Sequence, residues 1–93
     1  MIPHLPYRFI EQLKALPFVE AIYLYGSRAR GDNPERADID LAIDCPTASR
    51  EEWSQVMEIV EDADTLLHVD CVRLDQLSEG RFRDNIERDK VPL

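Results

Sequence analysis

The chain has 93 residues, 44% hydrophobic and 32% charged, an ordinary globular composition that argues against disorder. Nineteen Asp and Glu against eleven Lys and Arg give a net charge of −8, which excludes a nucleic-acid binder held by a broad basic face. The longest apolar run is Ala21 to Tyr25, so no membrane span or signal-peptide core is expected; with only Cys45 and Cys71, the expectation is one reduced, cytoplasmic domain over 1–93.

Pro6 suits the first turn of a helix whose Phe9, Ile10, Leu13 and Leu16 share a face, and Pro17 stops it. Val19 to Tyr25 is β-branched and aromatic and reads as a buried strand ending at Gly26. Gly26 to Pro34 is a glycine-bounded loop or short helical turn. Ala37 to Ile43 alternates, with Ile39, Leu41 and Ile43 on one face and Asp38, Asp40 and Ala42 on the other.

Pro46 ends that strand, and Ser49 with Glu52 forms a capping-box signature opening a helix through Trp53, Val56, Met57 and Val60. Glu61, Asp62 and Asp64 crowd the end of this helix, where its dipole disfavours negative charge, and read first as a solvated, slightly frayed terminus and, alternatively, as an acidic docking face for a basic partner. Leu66 to Val72 is a third strand, with His68 and Asp70 on one face and Val69 and Cys71 on the other. A last helix is expected from about Leu77 to Arg88, with Gly80 weakening its first turn.

The order of elements implies an α+β fold, a small mixed sheet with helices packed on it. The gap from Gly26 to Arg36 is short for a crossover helix, so the first two strands should pair antiparallel. The third then joins through the Trp53 helix.

Gly26-Ser27-x-Ala29-x-Gly31 and Asp38-x-Asp40 carry the chemistry. Side chains at i and i+2 of a strand point the same way, roughly 6.5–7 Å apart. Carboxylates so placed repel unless they are solvated or bridged by cations, and they suit a pair of Mg²⁺ ions about 3.5–4 Å apart, as in displacement at phosphorus. Glycines admit phosphate oxygens to backbone N–H groups, and Ser27 adds a hydroxyl. Arg28, Arg30 and Arg36 concentrate positive charge here, although Arg28 and Arg30 fit solvent-facing roles as well and Arg36 fits a partner in Glu35 or Asp32. A lone Asp-x-Asp is also what a solvated strand face looks like. The glycine-serine turn upstream and Asp70 downstream argue against that reading. A lone histidine is more often structural, so His68 stays outside the expected catalytic set, and Tyr23, Tyr25 and Trp53 read as packing residues.

These motifs, together with the Val69-Asp70-Cys71-Val72 context, resemble the minimal nucleotidyltransferases (MNT type) of the DNA polymerase β superfamily. The resemblance implies that Gly26 and Ser27 bind the phosphates of ATP, and the positive charge of Arg28 beside them suits the same nucleotide-binding role. The resemblance further implies that Asp38, Asp40 and Asp70 hold two Mg²⁺ ions and are the catalytic carboxylates. A hydroxyl would attack the α-phosphorus and release pyrophosphate. A chain of this length is expected to lack an acceptor-gripping domain, so a partner protein should present the acceptor and a hetero-oligomer is expected. Minimal members resemble antitoxins that silence an all-helical HEPN-domain toxin by transferring AMP to a tyrosine. Two alternatives stay open: a non-catalytic module that neutralises its partner by occlusion, and a transferase acting on a small molecule such as an aminoglycoside.

Overall fold

Leu5 and residues 7–93 are described by the computed structural model. Helix α1 (Arg8–Lys14) buries Phe9, Ile10 and Leu13, as the spacing predicts. The place expected for Pro6 lies outside the described residues. Among the described residues, the first turn of α1 has no local side-chain cap. The Asp64 carboxylate supplies one from across the fold, accepting the Arg8 N–H at 2.9 Å and the Phe9 N–H at 3.0 Å. These bonds hold the Asp64 carboxyl below the usual carboxylate range. Asp64 is therefore a helix cap rather than part of a solvated, frayed end. The free N–H groups and positive dipole end of α1 explain its acidity.

Strands β1 (Ala21–Tyr25), β2 (Ile39–Asp44), β3 (Val69–Arg73) and β4 (Val91–Pro92) form one sheet in the order β3-β2-β1-β4. β1 and β2 pair antiparallel with Tyr25 opposite Asp40, and β2 and β3 pair parallel with Asp40 opposite Asp70. The expected mixed sheet is thus present, joined by helices α2 (Ser27–Arg30), α3 (Arg50–Glu61) and α4 (Arg81–Asp89). Both bonds of the capping box form at the start of α3: the Ser49 N–H donates to Glu52 Oε1 at 2.8 Å and the Glu52 N–H to Ser49 Oγ at 3.1 Å.

Several expectations differ in extent: the first helix ends at Lys14, short of Leu16, and the first strand begins at Ala21 rather than Val19. The second strand begins at Ile39, leaving Asp38 just ahead of it. The third begins at Val69, since 62–68 is taken up in returning from α3. The last helix begins at Arg81 with Gly80 as its N-cap, after a single 3-10 turn at Leu74–Gln76. β4, unforeseen, pairs antiparallel with β1.

Each face of the sheet has its own core. Ile22, Leu24, Ile39, Leu41 and Ile43 meet α1 and α3 through Phe9, Leu13, Val56 and Val60. On the opposite face a smaller cluster joins Ala42, Leu74 and Ile86, with Tyr23, Tyr25 and Val72 packed against it. Cys45 and Cys71 are free thiols. Burial pushes them up to about 11 and about 12, which suppresses the thiolate. Arg73 and Asp75 lock the far end of the sheet: the Arg73 Nε donates to Asp75 Oδ2 at 3.1 Å, and Nη2 to the Cys45 and Ala48 carbonyls at 3.0 Å each. Asp75 Oδ1 in turn accepts the Cys45 N–H at 2.9 Å. Among the described residues, no helix is long and apolar enough to cross a membrane.

Candidate active site

The alternation that buries Ile39, Leu41 and Ile43 sends Asp40 to the opposite face of β2. There it is flanked by Tyr25 on β1 and Asp70 on β3. Asp38 and Asp70 are exposed, whereas Asp40 is half-buried. The Asp40 carboxyl is raised above its ordinary value by burial first, and then by the negative charges of Asp70 and Asp38. Tyr25 is pushed up to about 12 by burial first, and then by the negative charges of Asp40 and Asp70. A cation would relieve this concentration of like charge.

Gly26 brings the turn to the carboxylates. Its backbone has φ 73° and ψ −155°, a region open to glycine and costly for residues with a Cβ. A Cβ there would collide with Asp40 Oδ2. The absence of a side chain at Gly26 is therefore what lets Asp40 rest against the start of α2. Ser27 begins that single turn, its carbonyl accepting the Gly31 N–H at 2.9 Å and the Asp32 N–H at 3.1 Å. Gly31 closes the turn in the left-handed conformation.

Arg28 reaches back over the loop. Its Nε and Nη2 donate to the Ala37 carbonyl at 3.1 and 2.8 Å, and Nε also meets the Asp38 carbonyl at 3.3 Å. It thus clamps the segment carrying Asp38. Arg30 pairs with Asp32 at 3.0 Å and with Asp89 of α4 at 3.2 Å.

Of the expected triad, Asp38 and Asp70 come together with His68: one ligand atom of each lies within 4.8 Å of the others. Asp40 stands beside this group, its carboxylate against Gly26. His68, left outside the expected catalytic set, thus lies beside two of its members. Its signal was its position two residues before Asp70 on an alternating strand, which puts both on one face. An open groove of about 920 Å³ borders His68 and is lined by Tyr7, Glu35, Arg36, Asp64 and Leu66. Leu66 is fully exposed.

The oxygen-rich donor set fits a divalent cation, with Asp38 and Asp70 open to solvent and Asp40 feeling their charge. Carboxylates in register on a parallel strand pair, beside a glycine-serine turn, are the arrangement expected from the resemblance to nucleotidyltransferases. The family model for "Polymerase beta, Nucleotidyltransferase" matches residues 8–93, and the chain belongs to that family.

A Methanocaldococcus jannaschii protein named "Putative protein adenylyltransferase" is 28% identical over 75 residues, covering 78% of this chain and 75% of its own. The crystal structure of a toxin-antitoxin with AMP-PNP is similar at a TM-score of 0.65 and 23% identity, covering 90% of this chain and 68% of that one. That likeness establishes the fold. A crystal structure of a "putative nucleotidyltransferase" from Sulfolobus solfataricus has a TM-score of 0.57 and 26% identity, covering 90% and 71% of the two chains.

Proposed function

We propose that this nucleotidyltransferase transfers AMP from ATP to a hydroxyl of a partner protein, a tyrosine of a HEPN-type toxin, and so acts as its antitoxin. The observation that carries the transfer chemistry is the meeting of the Gly26 turn with Asp40, itself in register with Asp70. The protein acceptor is supported by the name of the Methanocaldococcus jannaschii relative, and the toxin partner by what the structural neighbour is.

Gly26 and Ser27 take the triphosphate against the start of α2. Arg28 keeps Asp38 in position through the carbonyls it binds. Asp38, Asp40 and Asp70 would hold two Mg²⁺ ions, which when bound neutralise the triphosphate and the charge that develops at phosphorus. The acceptor oxygen forms a bond to the α-phosphorus as the bond to the β-phosphate bridge breaks, and pyrophosphate leaves. Asp70, exposed on the outer strand, takes the acceptor's proton in this reading. The groove beside His68 gives a polypeptide segment a path to that side of the site. The contribution of the protein is positioning and charge compensation.

The test is to incubate the protein with α-labelled ATP, Mg²⁺ and the product of the adjacent reading frame, and to locate the label by mass spectrometry. AMP on a tyrosine of that protein, lost in the Asp38→Asn/Asp40→Asn variant, is the expected result. No label, with toxicity still suppressed by the double variant, overturns the reading in favour of occlusion. Label found only on an added aminoglycoside overturns the protein acceptor.

A further inference from the structure

Asp38 and His68 stand one residue ahead of Ile39 and Val69, which are opposite each other in the parallel ladder. Alternation therefore sends both side chains to the face that carries Asp40 and Asp70. The Ile39 N–H donates to the His68 carbonyl at 2.9 Å, which ties the backbone at 68 to the start of β2. His68 Nε2 lies 3.2 Å from Asp70 Oδ1, and both reach the Asp38 carboxylate within the 4.8 Å cluster. The His68 side chain is 65% exposed, so core packing does not hold it there.

We propose that His68 is a metal ligand, giving this centre a mixed imidazole and carboxylate donor set that favours Mn²⁺ and later first-row divalent ions over Mg²⁺. The proposal rests on the metal-binding role of Asp38 and Asp70 given above. Carboxylates and water suffice for Mg²⁺, a hard ion that takes oxygen donors. An imidazole nitrogen adds binding strength chiefly for transition ions. A histidine within reach of both carboxylates thus tunes which metal occupies the centre. The nitrogen bonded to Asp70 is the one that would turn to the ion.

The experiment uses Mn²⁺ alone, without nucleotide. Loss of the free-ion signal in electron paramagnetic resonance gives the affinity, and pulsed measurements report nitrogen bound to the ion. The wild-type protein should show imidazole nitrogen modulation. His68→Gln should lose that modulation and bind Mn²⁺ on the order of tenfold more weakly. Its affinity for Mg²⁺, measured by competition, should stay nearly unchanged. Equal metal-free melting temperatures would confirm that the variant folds. Bound Mn²⁺ with no nitrogen modulation overturns the proposal, as does modulation that survives His68→Gln, which would assign it to His4, the other histidine. Both results leave the carboxylate site standing. Undiminished Mn²⁺ binding in Asp38→Asn and Asp70→Asn would remove that site and the proposal together.

Discussion

Gly26→Ala separates two effects that meet at one atom. The first is backbone strain: at φ 73° and ψ −155° a Cβ costs about 1–3 kcal/mol wherever it occurs. The second is the collision with Asp40 Oδ2, which Asp40 can relieve by leaving its rotamer at about 0.5–1.5 kcal/mol. The sum, about 1.5–4.5 kcal/mol, is a large share of the 5–15 kcal/mol that holds a typical domain. A double-mutant cycle with Asp40→Ala isolates the second part, because the Asp40 Cβ sits 3.5 Å from the new methyl, in ordinary contact. Urea unfolding without metal should give a coupling of about 1 kcal/mol between the two sites. Gly31→Ala is the control. Gly31 also has a positive φ, 83°, but among the described residues nothing lies within 4 Å of where a Cβ would sit, so only the backbone cost of about 1–2 kcal/mol should appear. Gly26→Ala should also lower transfer by ~100-fold, since a carboxylate displaced by about 1 Å no longer meets its ligand. A coupling below about 0.5 kcal/mol would refute the claim that Gly26 is glycine to make room for Asp40.

Asp40→Asn should raise the metal-free melting temperature at neutral pH while abolishing transfer. A carboxyl raised on folding contributes stability below its unfolded value and loses it as pH rises through the folded one, so the gain from Asn should shrink on acidification. Asp64→Ala should lower the melting temperature at neutral pH by uncapping α1. The Asp64 carboxyl is depressed, so its contribution is present above the unfolded value and fades as pH falls through the folded one; wild type and variant should converge in acid. Asp75→Ala should cost about 3 kcal/mol in urea unfolding by stranding Arg73, whose side chain is only 11% exposed. Asp75→Asn, which still accepts the Cys45 N–H, should cost less.

Elements with a local signature were legible in the sequence. Ser49 and Glu52 announced the start of α3, and the alternation of Ile39, Leu41 and Ile43 placed Asp40 on the open face. The length of the loop between β1 and β2 gave their antiparallel pairing. What escaped was decided by contacts remote in the chain. Asp64 caps a helix 56 residues away, and no window around it shows a free N–H to accept from. β4 spans only Val91 and Pro92, too short for any period to register. Arg28 was grouped with the phosphate ligands on charge alone, and only the folded loop reveals the Ala37 and Asp38 carbonyls it holds. His68 lay in plain view, but its nearness to Asp38 depends on the parallel register of β2 and β3.

That register has a consequence for how faithfully the site is assembled. If β3 slid by one residue against β2, His68 and Asp70 would turn toward the core around Ile39 and Leu41, and Val69 and Cys71 would turn out. The chain would bury charge and expose apolar surface in one move, so misassembled copies are driven back by the same force that folds the domain. A slide by two residues would keep the faces but carry Asp70 roughly 6.5–7 Å from Asp40. The oily side of β3 thus proofreads its acidic side, and a volume change at Val69 or Cys71, remote from any substrate, would surface as a loss of transfer.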